Sequence, residues 1–234
     1  MEQLYGAAAN VVSRPQVVVL KMQFQFMTNY NYLIIDSATR QAVIVDPAWE
    51  MLKVETALEE AQVQLAGILI THSHPDHLNL AAPLAAAMRC PIWMSNSEIA
   101  VSGFRNEWLV GIDTAPWYVG GMQIQPLHTP GHTPGCFCYL IGDNLFTGDV
   151  LFAEGCGMCP DIEAAHKMYA SLEYLKALLE PHMRVYPGHS YGKVPGQRFD
   201  QVMQDNIYLQ FSDVESFTKF RMRKVQSRIS MFGQ

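Results

Sequence analysis

The stretch Thr71-His72-Ser73-His74-Pro75-Asp76-His77-Leu78-Asn79-Leu80 decides how this chain folds. His72, His74, Asp76 and His77 lie close together directly behind the apolar run Leu65-Ala66-Gly67-Ile68-Leu69-Ile70, which predicts a buried strand. Alternate residues of an extended chain point the same way, so His72 and His74 can grip one metal ion together. Pro75 turns the chain, and Asp76 and His77 leave in a new direction, suited to a second metal. A polar loop rich in histidine by chance is the competing reading. Catalytic zinc sites use such close-spaced histidine and carboxylate ligands, and a metal site is the better account.

Upstream, Val17–Leu20, Asn31–Ile35 and Ala42–Val45 read as strands, the last two joined by the polar turn Ser37–Arg40 into a hairpin. Asp46-Pro47 closes the third strand; Asp46 reads as a turn residue outside the metal shell. Glu50–Gln64 carries apolar residues at helical spacing, and Leu80–Arg89 is a second helix, rich in alanine and leucine. Pro91–Met94 is a short strand. Residues 97–115, with Trp108 and Trp117 nearby, are either a cover over the site or ordinary packing.

Downstream, Met122–Leu127 alternates as a half-buried strand and leads into the turn-dense His128-Thr129-Pro130-Gly131-His132-Thr133-Pro134-Gly135. Cys136–Ile141 is a strand with Cys136 and Cys138 on one face. Asn144–Asp149 is a strand ending in a carboxylate. Cys156 and Cys159 form a lone C-x-x-C, weak as a zinc or redox motif without a second pair. Asp161–Glu180 is a long amphipathic helix, and Met183–Tyr186 a strand that delivers Pro187-Gly188-His189-Ser190. His166 and His182 read as structural or surface residues, and His128 as a packing or supporting one.

At 234 residues, 49% apolar and 16% charged, the chain is globular. The start has no basic segment followed by an apolar core, and no apolar run is long enough for a bilayer. Five cysteines without a regular framework fit a reducing cytoplasm. The net charge of −6 is uneven, because residues 217–234 hold five basic side chains and no acid. The acidic remainder excludes a non-specific nucleic-acid binder. The basic tail is a solvated helix face or a docking surface for an acidic partner.

The HxHxDH stretch resembles the metallo-β-lactamase superfamily, and so do TPGHT around His132, FTGD ending at Asp149 and GH at His189. MTNYNYLIIDSATRQAVIVDPA, and later Gly155-Cys156-Gly157, are similar to the glyoxalase II branch. The whole text also looks like the small zinc hydrolases of trans-acyltransferase polyketide pathways, thought to remove acyl groups from carrier proteins. The resemblance implies an α+β fold, the four-layer αββα sandwich, over residues 1–190, with a helical extension over 191–234. It implies that His72, His74 and His132 hold one metal, Asp76, His77 and His189 the other, and that Asp149 bridges them. Two Zn²⁺ suit this nitrogen and oxygen set, with Fe²⁺ or Mn²⁺ as alternatives.

Two close cations lower the pKa of a shared water towards roughly 7, giving a metal-bound hydroxide that attacks a carbonyl. A thioester suits this chemistry, because its thiolate leaves with a free pKa of roughly 8.5. Asp76 would also orient the nucleophile as a catalytic residue. The branch typically carries a cation after Gly-Cys-Gly to engage glutathione; Met158 stands there instead. Tyr191, two positions after the last ligand, is kept. Arg221, Arg223 and Lys224 are candidates to meet a phosphopantetheine phosphate or an acidic carrier protein. The expectation is therefore an acyl carrier protein or pantetheine thioesterase. Glyoxalase II itself, a hydroxyacylglutathione hydrolase, is the alternative, and a persulfide dioxygenase with one Fe²⁺ ranks below both.

Overall fold

The computed structural model describes residues 14–223. Two six-stranded sheets face each other. The first holds β1 (Gln16–Phe24), β2 (Met27–Asp36), β3 (Gln41–Val45), β4 (Gln64–Leu69), β5 (Ile92–Ser95) and β6 (Leu109–Ile112), in that spatial order. The second runs β12 (Gln197–Arg198), β11 (Arg184–Pro187), β10 (Asn144–Gly148), β9 (Phe137–Ile141), β8 (Met122–His128), β7 (Trp117–Val119). The parallel pairings run from β3 to β6 in the first sheet and join β10 to β11 in the second, and all other neighbours are antiparallel.

Period-two patterning explains the layers. In β2, Leu33 and Ile35 turn toward a core that includes Val54 and Leu58 of α1 (Met51–Ala61) and Leu84 and Ala85 of α3 (Ala81–Met88). The alternate residues, Tyr32 and Ile34, face Ile124, Phe137, Tyr139 and Phe146 of the second sheet. The outer face of that sheet, with Cys138, Leu145 and Val185, packs on Ala165, Met168 and Leu172 of α5 (Ile162–Leu178) and Phe217 of α7 (Val214–Arg221). Helix, sheet, sheet, helix is the four-layer αββα sandwich. Burial of three contiguous apolar clusters, at roughly 25 cal/mol per Å² of apolar surface, is what drives this stacking.

Residues after 190 add β12 to the edge of the second sheet, then α6 (Phe199–Asp205), a 3-10 turn (Ile207–Gln210) and α7. Residues 97–115 form most of α4 (Asn96–Ser102) and all of β6. Trp108 packs in the core beneath the first sheet, and Trp117 lies tilted against Trp93, ring centroids 5.3 Å apart, between the sheets. Both are ordinary packing.

One expectation is corrected. Arg221 is buried at the end of α7, 3.3 Å from the Tyr208 hydroxyl and with its guanidinium over that ring. A long cation is buried here because an aromatic face and a phenol oxygen replace water around it. It is therefore not part of an exposed basic patch. Arg223 is exposed and stacks on Phe220 at 3.5 Å. Lys224 and Arg228 lie outside the described residues.

Candidate metal centre

Every residue expected at the metal site follows the C-terminal end of a strand, and all these ends lie at one mouth of the sandwich. His72, His74, Asp76 and His77 follow β4; the short helix α2 (Pro75–Leu78) begins at the turning proline. His132 follows β8, Asp149 follows β10 and His189 follows β11. The loops are tied across the sheets. Phe137 N–H donates to the Thr71 carbonyl at 2.9 Å, the Tyr139 hydroxyl to the Ile70 carbonyl at 2.9 Å, and the Tyr32 hydroxyl to the Pro187 carbonyl.

Two sets of three side chains result: His72, His74 and His132, and Asp76, His77 and His189. Within each set the potential ligand atoms lie within 4.8 Å of one another. Asp149 sits between the sets. Its Oδ2 is 3.6 Å from His132 Nε2 and 3.5 Å from His189 Nε2, and its Oδ1 is 3.4 Å from His77 Nε2.

The other ring nitrogens are spoken for, and that decides which nitrogen each histidine presents. His132 Nδ1 donates to the Met158 carbonyl at 2.8 Å and His189 Nδ1 to the Thr28 carbonyl at 3.0 Å. His77 Nδ1 donates to Asp46 Oδ2 at 2.9 Å. The Thr71 hydroxyl donates to Asp46 at 2.6 Å and so accepts from His72 Nδ1 at 3.0 Å. Each of these four rings turns its Nε2 inward, as metal-binding histidines do. His72 Nε2 and His132 Nε2 stand 3.1 and 3.0 Å from His74 Nδ1. A proton on His74 Nδ1 can bridge only one of these two contacts, whereas a cation among the three nitrogens satisfies all of them. Two zinc–nitrogen bonds of roughly 2.0–2.1 Å at a tetrahedral angle place their nitrogens about 3.3 Å apart. Buried His77 Nε2 and Asp149 Oδ1 have no hydrogen-bond partner. The donor set fits divalent metal binding.

The electrostatics agree. Burial, reinforced by the neighbouring histidines, pulls His72 well below the ordinary imidazole range, and His74 is also lowered. Burial opposes charge on His77 too, but Asp149, Asp46 and Asp76 outweigh it and push its pKa up to about 9. Burial would raise Asp76 and Asp149. The histidines around both, with Asn29 beside Asp76, hold them below the usual carboxylate range instead.

Asp46 was expected to be a turn residue. It does occupy a left-handed turn, φ 49°, but its carboxylate also accepts from Thr71 N–H, Thr71 Oγ1 and His77 Nδ1. Asp46, His72 and His77 also lie close enough together to form a third set. The Asp46 oxygen that faces His77 is already engaged by two donors, so it anchors ligands. Asn31 braces the same turn, donating to the Asp46 carbonyl at 2.5 Å and accepting from Ala48 N–H at 2.9 Å. Asn29 donates to the Asp76 carbonyl at 2.8 Å and to its Oδ2 at 3.1 Å. The sequence signal for these roles was the Asn-Tyr-Asn-Tyr run of β2, which sets two buried asparagines ahead of the apolar Leu33-Ile34-Ile35.

Met158 and Tyr191 are exposed beside the site, Met158 through its carbonyl on His132 and Tyr191 stacked edge-on to Phe152 at 5.3 Å. His128 holds the Pro134 carbonyl at 3.1 Å and so braces the His132 loop. Among the described residues the five cysteines are buried free thiols. Burial pushes Cys156 and Cys159 upward, which makes them poor nucleophiles. Among the same residues no helix is long and apolar enough to cross a membrane.

Two facing mixed sheets, outer helices and a histidine–aspartate cluster at the strand ends define an αββα protein with a metal-ligand mouth. Residues 27–189 match the model of the metallo-beta-lactamase superfamily, and the chain belongs to that superfamily. It is 43% identical over 219 residues to the probable polyketide biosynthesis zinc-dependent hydrolase BaeB of Bacillus velezensis, covering 93% of this chain and 97% of that one. It is also 43% identical to the corresponding PksB of Bacillus subtilis, covering 91% and 96%. A hydroxyacylglutathione hydrolase of Alkalilimnicola ehrlichii is 38% identical over 181 residues, 77% of this chain and 69% of that protein. A metallo-beta-lactamase crystal structure from Staphylococcus aureus superposes with a TM-score of 0.80 at 22% identity, covering 91% and 68%, which supports the fold alone.

Proposed function

We propose that the chain is a dinuclear zinc-dependent hydrolase of polyketide biosynthesis that cleaves an acyl thioester carried on pantetheine or an acyl carrier protein. The observation that carries this reading is the convergence of His72, His74, His132, Asp76, His77 and His189 on both sides of Asp149. It is joined by 43% identity to BaeB and PksB over nearly the full length of each chain.

His72, His74 and His132 would hold one zinc, Asp76, His77 and His189 the other, with Asp149 shared. Zinc in such a site supplies a nucleophile at neutral pH and polarises a carbonyl. The chain's own residues do the remaining work. Asp46, the Met158 carbonyl and the Thr28 carbonyl keep protons on the outer nitrogens of His77, His132 and His189, so the inner nitrogens remain ligands. Asp76, oriented by Asn29 and kept ionised by its histidine neighbours, would accept a hydrogen bond from the nucleophile and so aim it. The exposed side chains of Met158 and Tyr191 offer apolar surface at the mouth, suited to an acyl or pantetheine chain. No cation stands at 158 to meet a glutathione carboxylate, which favours the carrier substrate over the glutathione one.

The test is hydrolysis by zinc-loaded protein of one acyl group presented on glutathione, on pantetheine and on a carrier protein. Carrier or pantetheine preference supports the proposal. Glutathione preference makes the chain a hydroxyacylglutathione hydrolase, and dioxygen uptake with glutathione persulfide makes it a dioxygenase.

A further inference from the structure

We propose that Glu98 is a positioning residue that sets the spacing of the three-histidine metal site; the inference rests on the metal reading above. Glu98 lies in the first turn of α4, entirely buried. Its carboxylate accepts four hydrogen bonds from two separate loops. Oε1 takes Ser73 N–H at 2.8 Å and Ser73 Oγ at 2.5 Å. Oε2 takes Thr133 Oγ1 at 2.7 Å and Gly135 N–H at 3.1 Å.

Ser73 is the residue between His72 and His74, and Thr133 directly follows His132. One side chain therefore spans the gap between the two segments that must bring three imidazoles together. The helix end reinforces the clamp. The Ser95 hydroxyl caps α4 by accepting from Glu98 N–H at 2.9 Å and donates to the Gly135 carbonyl at 2.6 Å. At Gly135 the backbones touch: a Cβ there would lie 2.2 Å from Glu98 N, so only glycine lets the loop reach the clamp. The Ser95-x-x-Glu98 spacing resembles a capping box, in which the glutamate would fold back on its own helix. Here it is diverted to the metal loops.

The chemistry requires a carboxylate. Ser73 N–H and Gly135 N–H are backbone donors that cannot reverse, and each needs its own oxygen acceptor. A glutamine in either flip presents its amide group to one of them. Aspartate keeps both oxygens but is one methylene too short to serve both loops.

The experiment is Co²⁺ titration, followed by visible absorption and chelator competition, on the full chain and on Glu98→Gln, Glu98→Asp and Thr133→Val, with melting of each metal-free protein as a fold control. We expect wild type to bind two equivalents. Glu98→Gln should weaken one of them about 10- to 100-fold with an altered Co²⁺ spectrum, as loss of a ligand-orienting contact does elsewhere. Glu98→Asp should recover part of that loss, and Thr133→Val, which removes a single donor, should weaken the same equivalent by a smaller factor. If Glu98→Gln fails to fold, Thr133→Val carries the test. Unchanged affinity and spectrum in the folded variants overturn the role of Glu98 while leaving the metal reading intact. A wild-type chain that binds no Co²⁺ overturns both.

Discussion

His77 Nδ1 lies 2.9 Å from Asp46 Oδ2, and both side chains are almost fully withdrawn from solvent. Because Asp46 also takes the Thr71 hydroxyl, which in turn holds His72, one carboxylate steers a ligand of each metal set.

Asp46→Asn should therefore disturb both sets together. Its amide group would face either the Thr71 backbone N–H, which cannot turn, or both the Thr71 hydroxyl and the His77 N–H. We expect metal affinity to fall about 10- to 100-fold, read by chelator competition, with far-ultraviolet circular dichroism unchanged.

Metal uptake should release protons in a pH-dependent way. In the metal-free chain His77 has a pKa near 9, so at pH 7 it is protonated, and binding through Nε2 must expel that proton. Calorimetry in buffers of different ionisation heats should show release near pH 7 that declines as pH passes about 9. His72 and His74, already lowered, contribute little. A linked consequence concerns stability. A pKa raised on folding stabilises fully below the unfolded value of about 6.5 and is lost as pH rises through the folded one. For His77 that window runs from about 6.5 to 9 in the metal-free protein, and its melting temperature should reflect the loss there.

Removing the metals should abolish thioester hydrolysis, and zinc should restore it. At a free zinc concentration a thousandfold above Kd, one site stabilises by about 4 kcal/mol. For a chain of this size that is a rise of roughly 8–16 °C in Tm, measured by scanning calorimetry with and without chelator.

Gly188→Ala should damage the centre without replacing a ligand. An added methyl at Gly188 would lie 2.4 Å from His77 Cε1 and 2.7 Å from Asp149 Oδ1. Both would have to shift, and we expect fewer than two zinc equivalents by elemental analysis of the purified variant.

Arg221→Ala tests whether the α7 cation is a docking group or a structural one. Buried against Tyr208, its loss should destabilise the fold by about 3 kcal/mol in urea denaturation. The KM for a carrier-protein thioester should stay unchanged once the protein is folded.

The sandwich, and the histidines and aspartates that gather at its mouth, were legible before any coordinates, and for a physical reason. Strands such as Leu65–Ile70 and Asn31–Ile35 announce themselves by local apolar patterning, and metal chemistry narrows the residue types that can follow them. Trp108 and Trp117 were ambiguous, because a large apolar side chain looks the same in a core and in a pocket until its neighbours are known. Arg221 misled, since a charge in sequence says nothing of the aromatic ring that will cover it.

By itself, then, the sequence determined most of the strands and helices, and the histidines and aspartates at the strand ends, all features set within a few residues along the chain. Only the tertiary structure decided that Asp46 steers His77 and His72, that Glu98 bridges the loops of His74 and His132, and which nitrogen each ring presents. The Asp46 and Glu98 contacts join residues 25 to 37 positions apart and the His189 contact with Thr28 joins residues 161 apart; such partners are chosen when the sheets close and water is excluded, and no local pattern encodes that choice.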